Sequence, residues 1–325
     1  MMMMHRSLQR MARKQHVLVA RGFASDSKDL IGLVGIGQMG NHMANNLIAK
    51  GQKVVVFDVN ADSTKPLAAK GAIVASTARE VAEKCDRVVT MLPNTAIVEQ
   101  VYLHDKDGFS DVVRPSHLFI DSSTIDAMFT KKLSEIYHEK GAKIVDAPVS
   151  GGVIGAENGT LTFMVGGTEE EFQMVKPTLE YMGRNIVHCG SSSLGQVAKM
   201  CNNLSLVIQM VSVAEAMNLG VKLGMDPQVL RGIMNTSTAQ CWSSSLYHPY
   251  PGLMENVPAA VDYKGGFSSS LVKKDLGLGV DAAKAASVSL PMTYAAHQLY
   301  SMVVNDGHGN KDFGYILQYL KGKQN

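Results

Sequence analysis

"DLIGLVGIGQMG", residues 29–40, opens on an apolar run and closes on three glycines spaced as Gly35-Ile36-Gly37-Gln38-Met39-Gly40. A short apolar run bounded by turn residues reads as a buried strand, and residues 38–50 continue with helical spacing. The glycines therefore fall at a strand-to-helix turn. There Gly35 permits the turn, Gly37 lets the backbone approach a pyrophosphate, and Gly40 lets helix and strand pack closely. The phosphates lie at the positive end of the helix, where free amides point at them, so Ile36, Gln38 and Met39 join the three glycines as expected cofactor contacts. By themselves the glycines would also fit a merely tight turn.

The next strand-like run, "KVVVFDVN", ends in Asp58, 18 residues after Gly40. A carboxylate there accepts hydrogen bonds from both adenosine ribose hydroxyls and repels a 2′-phosphate. An NADP site more often places arginine beside it, whereas Val59 and Asn60 follow here. NAD is the expected cofactor; a structural aspartate at a strand end is the alternative.

Outward from this unit, "AIVAS", "RVVTML", "LFIDSS" and "KIVDAPVS" repeat the pattern with helical spacers between several of them. Strands separated by helices imply a parallel sheet with crossover helices. "LTFMVGG" and "NIVHCG" close this half near residue 190. Ligands bind beyond the carboxyl ends of such strands, which brings in Leu92, Pro93 and Asn94 of "MLPN" and Ser123 and Thr124 of "DSST". The proline can also simply end its strand, and the serines can cap a helix.

After "SSSLG" the strand-like runs stop. Val197, Cys201, Leu204, Ile208 and Val211 recur every three to four residues, predicting a long, largely buried helix from 196 to about 223. Asp226 and Pro227 suit the cap and first position of the next helix. Residues 236–266 read as an ordered irregular loop, and "LVKKDLGLGVDAAKAA" and residues 290–305 as further helices. The fold expected is thus α/β, an N-terminal Rossmann-type doubly wound, mostly parallel sheet over 28–191. An all-α C-terminal domain over 192–325, joined by the long helix, follows it.

Length and composition agree with two soluble domains: 325 residues, 46% hydrophobic and 18% charged. The four cysteines form no CxxC pair, so neither a disulfide framework nor a zinc site is expected. Residues 1–25 carry Arg6, Arg10, Arg13, Lys14 and Arg21 with no acidic residue, the pattern of a mitochondrial transit peptide. Without that segment 26 basic residues face 29 acidic ones, a net charge of −3 that offers no electrostatic footprint for nucleic acid. No run of 18 apolar residues free of charge marks a membrane span.

Within the long helix, "GQVAKMCNNLS" (195–205) sets Lys199 and Asn203 four apart, on one helix face. A lysine and an amide aimed together out of an apolar helix can bind and deprotonate a hydroxyl. Burial disfavours the ammonium and brings the neutral amine within reach near neutral pH. A solvated helix face is the bland alternative.

Four separated motifs, "GLVGIGQMG", "DAPVSGG", "GQVAKMCNN" and "KKDLGL", together resemble the β-hydroxyacid dehydrogenase family from about residue 29 to 320. The resemblance implies NAD-dependent oxidation of 3-hydroxyisobutyrate to methylmalonate semialdehyde in the mitochondrial matrix, within branched-chain amino acid catabolism, with no metal. It implies Lys199 as general acid/base and Asn203 as the residue that orients the substrate. It further implies Ser150, Gly151 and Gly152 at the substrate carboxylate, Ser123 at the substrate, Thr124, Phe267 and Lys274 at the cofactor, and a homodimer or homotetramer. Related semialdehyde or glyoxylate reductases and a non-catalytic NAD-binding scaffold are the alternatives. Ala127 replaces a frequent proline after "DSSTID", which predicts a less fixed helix start.

Overall fold

Strand β1 (Leu30–Val34) is buried at every position and pairs in parallel with β2 (Lys53–Phe57) on one side and β4 (Arg87–Thr90) on the other. The computed structural model describes residues 30–104 and 106–322; the basic segment 1–25, read as a transit peptide, lies outside the described residues. Beyond β2 lies β3 (Ile73–Val74), and beyond β4 come β5 (Leu118–Asp121) and β6 (Lys143–Asp146), all parallel. β7 (Val149–Ser150) and β8 (Leu161–Gly166) add antiparallel pairs, and β9 (Gly183–Gly190) pairs in parallel with β8. The order is β3-β2-β1-β4-β5-β6-β8-β7, with β9 on β8. The chain winds outward from β1 to β3, then returns to the other side at β4. That reversal opens a crevice at the carboxyl edge, where ligands bind in doubly wound sheets.

Helices α1 (Gln38–Ala49), α2 (Ala61–Ala68), α3 (Ala78–Lys84), α4 (Thr95–Glu99), α5 (Ala127–Glu139), α6 (Gly152–Glu157) and α7 (Glu169–Leu179) accompany the strands. Alternate side chains of a strand point to opposite faces. Ile31, Leu33, Val54 and Val56 therefore join one core cluster, while Leu30, Val34, Val55 and Val88 join the other. Each such fully buried side chain stabilises the fold by roughly 1.5–3 kcal/mol. Helix α5 starts firmly despite Ala127, because Asp126 caps it through the Phe129 N–H at 2.6 Å, a correction to the sequence expectation.

The second half comprises α8 (Leu194–Lys222), α9 (Pro227–Thr236, capped by Asp226), α10 (Trp242–Ser245), α11 (Ser269–Ala286), α12 (Pro291–Val303) and α13 (Ile316–Lys321). Residues 237–268 are mostly turns, interrupted by α10 and a 3-10 turn at Pro258–Val261. Val207, Met210, Ala214 and Met217 of α8 pack with Val272 and Leu276 of α11, Tyr300 of α12 and Leu317 of α13.

The face that α8 buries differs from the sequence expectation. Cys201 is exposed, and Val197, Leu204, Ile208 and Val211 are only half-buried. The buried stripe runs through Gln196, Lys199, Asn203, Val207, Met210, Ala214 and Met217, and nine of the 29 residues are buried. The helix is apolar nearly all round, so hydrophobic periodicity supplies no phase. By length and composition it would pass for a membrane span. Its phase is instead set by polar side chains that find partners only on the sheet and on α11.

Candidate active site

Gly35 holds φ +94°, and a Cβ on it would run into the Met91 carbonyl; a Cβ on Gly40 would run into that of Gly35. Both glycines are thus required by the close approach of the β1–α1 turn to its neighbours. Gly37 differs: among the described residues nothing lies within 4 Å of where its Cβ would be. It is exposed at the start of α1, whose first amides have no side-chain cap. Unclaimed amides at a helix N-terminus, with open space beside a glycine, form a cradle that fits a pyrophosphate.

Asp58 directly follows β2 and lies beside this cradle. Its carboxylate accepts the Ile36 N–H at 2.6 Å and the Asn60 N–H at 2.8 Å, so it stiffens the glycine loop. Val59 is exposed and Asn60 caps α2 through the Asp62 N–H. Neither side chain offers a cation to a 2′-phosphate, which accords with NAD.

Lys199 is 9% exposed, and burial brings its ammonium down from 10.5 to about 8. Asp275 opposes that shift and Lys274 adds to it. Asn203 donates through Nδ2 to Asp275 Oδ2 at 2.6 Å, while Asp275 Oδ1 pairs with Lys274 Nζ at 3.2 Å. Asp275, within "KKDLGL" but not among the residues expected at the site, is 5% exposed and joins that motif to "GQVAKMCNN". A buried polar position on the inner face of α11 was its only signal, and that face is defined by packing. Lys274 is held in place as well. Its Nζ donates to the Thr124 carbonyl at 2.7 Å and the Pro93 carbonyl at 3.3 Å, pinning the helical domain to the loops after β4 and β5.

One turn before Lys199, Gln196 donates to the Ser123 carbonyl at 2.7 Å and accepts the Ile125 N–H at 3.2 Å. Its own N–H goes to Asp146 Oδ2 at 2.9 Å, and Asp146 Oδ1 takes the Ser193 N–H at 2.7 Å. The last residue of β6 thereby anchors the start of α8, at a place where a Cβ on Gly195 would meet the Met164 carbonyl. Ser123 Oγ accepts the Leu92 N–H at 2.8 Å, so the loops after β4 and β5 are tied to each other. Asn94 caps α4 through the Ile97 N–H at 3.0 Å.

Ser150 is half-buried and Gly151 and Gly152 are exposed at the start of α6, with φ +130° and +61°. Helix α6 docks on α1 through the Asn46 Nδ2 bond to the Ala156 carbonyl. The small loop therefore sits beside the glycine-rich helix, its backbone amides uncapped by any side chain. Phe267 stands farther into the helical domain, half-buried and packed edge-on against Phe313, with its N–H on Asp312. The other expected residues converge on the carboxyl edge of the sheet, where the inner face of α8 and α11 closes over it.

The chain's relatives agree with this architecture. Residues 30–190 match a family described as the NAD binding domain of 6-phosphogluconate dehydrogenase, and residues 193–320 one described as NAD-binding of NADP-dependent 3-hydroxyisobutyrate dehydrogenase. The chain is 50% identical over 300 residues to the probable mitochondrial 3-hydroxyisobutyrate dehydrogenase of Dictyostelium discoideum, covering 92% of this chain and 93% of that protein. It is 43% identical over 294 residues to an NAD-dependent L-serine dehydrogenase of Pseudomonas aeruginosa, covering 90% and 98%. The solved 3-hydroxyisobutyrate dehydrogenase of Mycobacterium tuberculosis with L-serine superposes with a TM-score of 0.84 at 37% identity, covering 91% of this chain and 100% of that one. With the dinucleotide cradle, the buried Lys199 and homology along nine-tenths of its length, the chain belongs to the 3-hydroxyisobutyrate dehydrogenase family of NAD-dependent oxidoreductases.

Proposed function

We propose that the protein oxidises 3-hydroxyisobutyrate to methylmalonate semialdehyde, with Lys199 as the general base. NAD, when bound, supplies the hydride acceptor. The burial of Lys199 beside Asn203 and Asp275 carries the reading, because it yields an amine that is partly neutral near pH 7 on a face bearing a hydrogen-bonding amide. Lys199 takes the hydroxyl proton as the carbon loses hydride; in reverse its ammonium returns a proton to the carbonyl oxygen. Asn203, held by Asp275 through one amide hydrogen, keeps its remaining donor for the substrate oxygen. The uncapped amides at Gly151 and Gly152, with the Ser150 hydroxyl beside them, suit the carboxylate. Ser123, fixed by Leu92 and Gln196, borders the substrate, while Leu92, Pro93, Asn94, Thr124 and Lys274 frame the nicotinamide end. Positioning and charge then supply the rate.

L-serine is a second reading, favoured by the Pseudomonas aeruginosa relative and by the serine-containing structure. The two acids share a CH2OH and a carboxylate and differ at carbon 2, methyl against ammonium. Initial rates of NADH formation with both acids, and with NAD and NADP, decide between them. A higher kcat/KM for 3-hydroxyisobutyrate with NAD is expected, and a higher value for serine moves the substrate. Lys199→Ala should bind NAD and lose turnover by about 10²–10⁴-fold; near-normal turnover refutes the base.

The mitochondrial naming of several relatives, together with the basic, acid-free residues 1–25, supports mitochondrial import to the matrix. Leu219, Leu223, Val229, Ile233, Trp242 and Leu246 leave an exposed apolar face around α8, α9 and α10, which supports a homodimer or homotetramer. Light scattering that returns a monomer overturns that assembly.

A further inference from the structure

Behind the active-site loops, the ends of β5 and β6, helix α5 and the segment before α8 enclose a cavity of about 10 Å³ whose polar lining is Asp121, Thr130, Ser134, Asp146 and Ser192. Leu133, Ile144 and Val145 complete the wall, and a space of that size with polar groups on one side takes one water-sized molecule. Asp121 Oδ2 and Ser192 Oγ are buried without a hydrogen-bond partner among the described residues. Asp121 is 2% exposed, and its other oxygen accepts Thr90 Oγ1 at 2.8 Å and the Ser123 N–H at 3.1 Å. Both Asp146 oxygens are already occupied by the Ser193 and Gln196 amides. Among the described residues no basic side chain lines the cavity, so the group that satisfies Asp121 Oδ2 must bring its own hydrogen. Thr130 Oγ1 is spent on the Asp126 carbonyl at 2.9 Å, and Ser134 Oγ is paired with His138 Nδ1 at 3.3 Å. Too few free oxygens remain to encircle a metal cation. A small neutral molecule that both donates and accepts fits the wall.

We propose that this cavity binds one water molecule that joins Asp121 to Ser192, and that Asp121 is thereby the positioning residue for the loops after β4 and β5. Its Oδ1 fixes Ser123, and Ser123 in turn fixes Leu92, so one carboxyl group sets both loops. Ser192 stands two residues before α8, whose Gln196 holds the Ser123 carbonyl. The water closes this ring between the sheet and the helix that bears Lys199. An unpaired buried carboxylate oxygen at that joint would be costly. The loop role rests on the reading that these loops contact the dinucleotide; the water site does not.

Two measurements test the two parts. A crystal structure of the protein that resolves ordered solvent should hold one peak within hydrogen-bond distance of Asp121 Oδ2 and Ser192 Oγ. An empty cavity, or a peak with the many short oxygen contacts of a cation, overturns the water site whatever the substrate. In direct titration, Asp121→Ala should weaken NAD by about tenfold, about 1.4 kcal/mol. Asp121→Asn keeps an acceptor for Thr90 and Ser123 and turns an amide towards the water, so it should restore most of that loss. In turnover, Asp121→Ala should raise the KM for NAD more than it lowers kcat. Equal NAD affinity in wild type and Asp121→Ala overturns the positioning role. Where Asp121→Ala does not fold, Ser192→Val fills the cavity, and NAD affinity unchanged by it overturns the role equally. Because the titration contains no hydroxyacid, its outcome is independent of the substrate assignment.

Discussion

Oxidation should follow the titration of Lys199. Burial lowers its ammonium from 10.5 to about 8, a displacement equivalent to about 3 kcal/mol against the charged form at ~1.36 kcal/mol per unit. At pH 7 about one molecule in ten then carries the neutral amine, against roughly one in three thousand for an unperturbed lysine, a gain of about 300-fold in competent base. The kcat/KM for NADH formation should therefore climb about tenfold per pH unit from pH 6, then level above about 8. Reduction of the semialdehyde needs the ammonium and should fall above the same pH. Two neighbours should move the limb in opposite directions. Asp275 favours the ammonium, so Asp275→Asn should carry the limb to lower pH; Lys274 disfavours it, so Lys274→Met should carry it to higher pH. Initial rates across pH 6–10 for the three proteins make the assay. A limb at the ordinary lysine value, or one that neither substitution moves, refutes the assignment.

Burial raises Asp121 from 3.8 to about 6, so the native state holds that proton more tightly than the unfolded chain. Its stabilisation is complete below about pH 4 and lost as pH rises through about 6, of order 3 kcal/mol; in urea unfolding, Asp121→Asn should gain on wild type over that interval, and a constant difference refutes it. Gly40→Ala should lower the melting temperature sharply because its Cβ meets the Gly35 carbonyl, whereas Gly37→Ala should leave melting nearly unchanged and raise the KM for NAD about tenfold or more. Equal effects in melting would mean that the Gly37 side is not open. Asp58→Ser should raise the NADP to NAD ratio of kcat/KM by about tenfold while weakening both cofactors, since the Ile36 amide loses its partner; an unchanged ratio removes Asp58 from cofactor choice.

Several parts of the site were legible because their causes are local. A glycine-rich turn between a strand and a helix prescribes its own backbone, and Asp226 before Pro227 prescribes a helix start. Asp275 and Gln196 were not legible as site residues, although both stand within motifs that drew attention. Each acts through partners 72 or 73 positions away, Asn203 for one and Ser123 for the other, and no local spacing encodes such a pairing. The less fixed start expected for α5 failed for a related reason: proline is one way to open a helix, and the Asp126 cap is another.

The amino-acid sequence by itself determined the order of strands and helices, the dinucleotide turn with Asp58, and the chemical candidates Lys199 and Asn203, because hydrophobic period, glycine backbone freedom and side-chain chemistry act within a few residues. The tertiary structure decided which face of α8 is inward. On a helix apolar around its whole circumference, burial of one methyl-bearing stripe is nearly as favourable as another. What selects the phase is the requirement that the side chains of Gln196 and Asn203 meet Ser123 and Asp275 rather than hydrocarbon, with Lys199 carried on the same stripe near Asp275. Only packing also gives Lys199 its titration near neutral pH, since the desolvation that lowers it comes from tertiary burial of a side chain that, on an isolated helix, would stand in water.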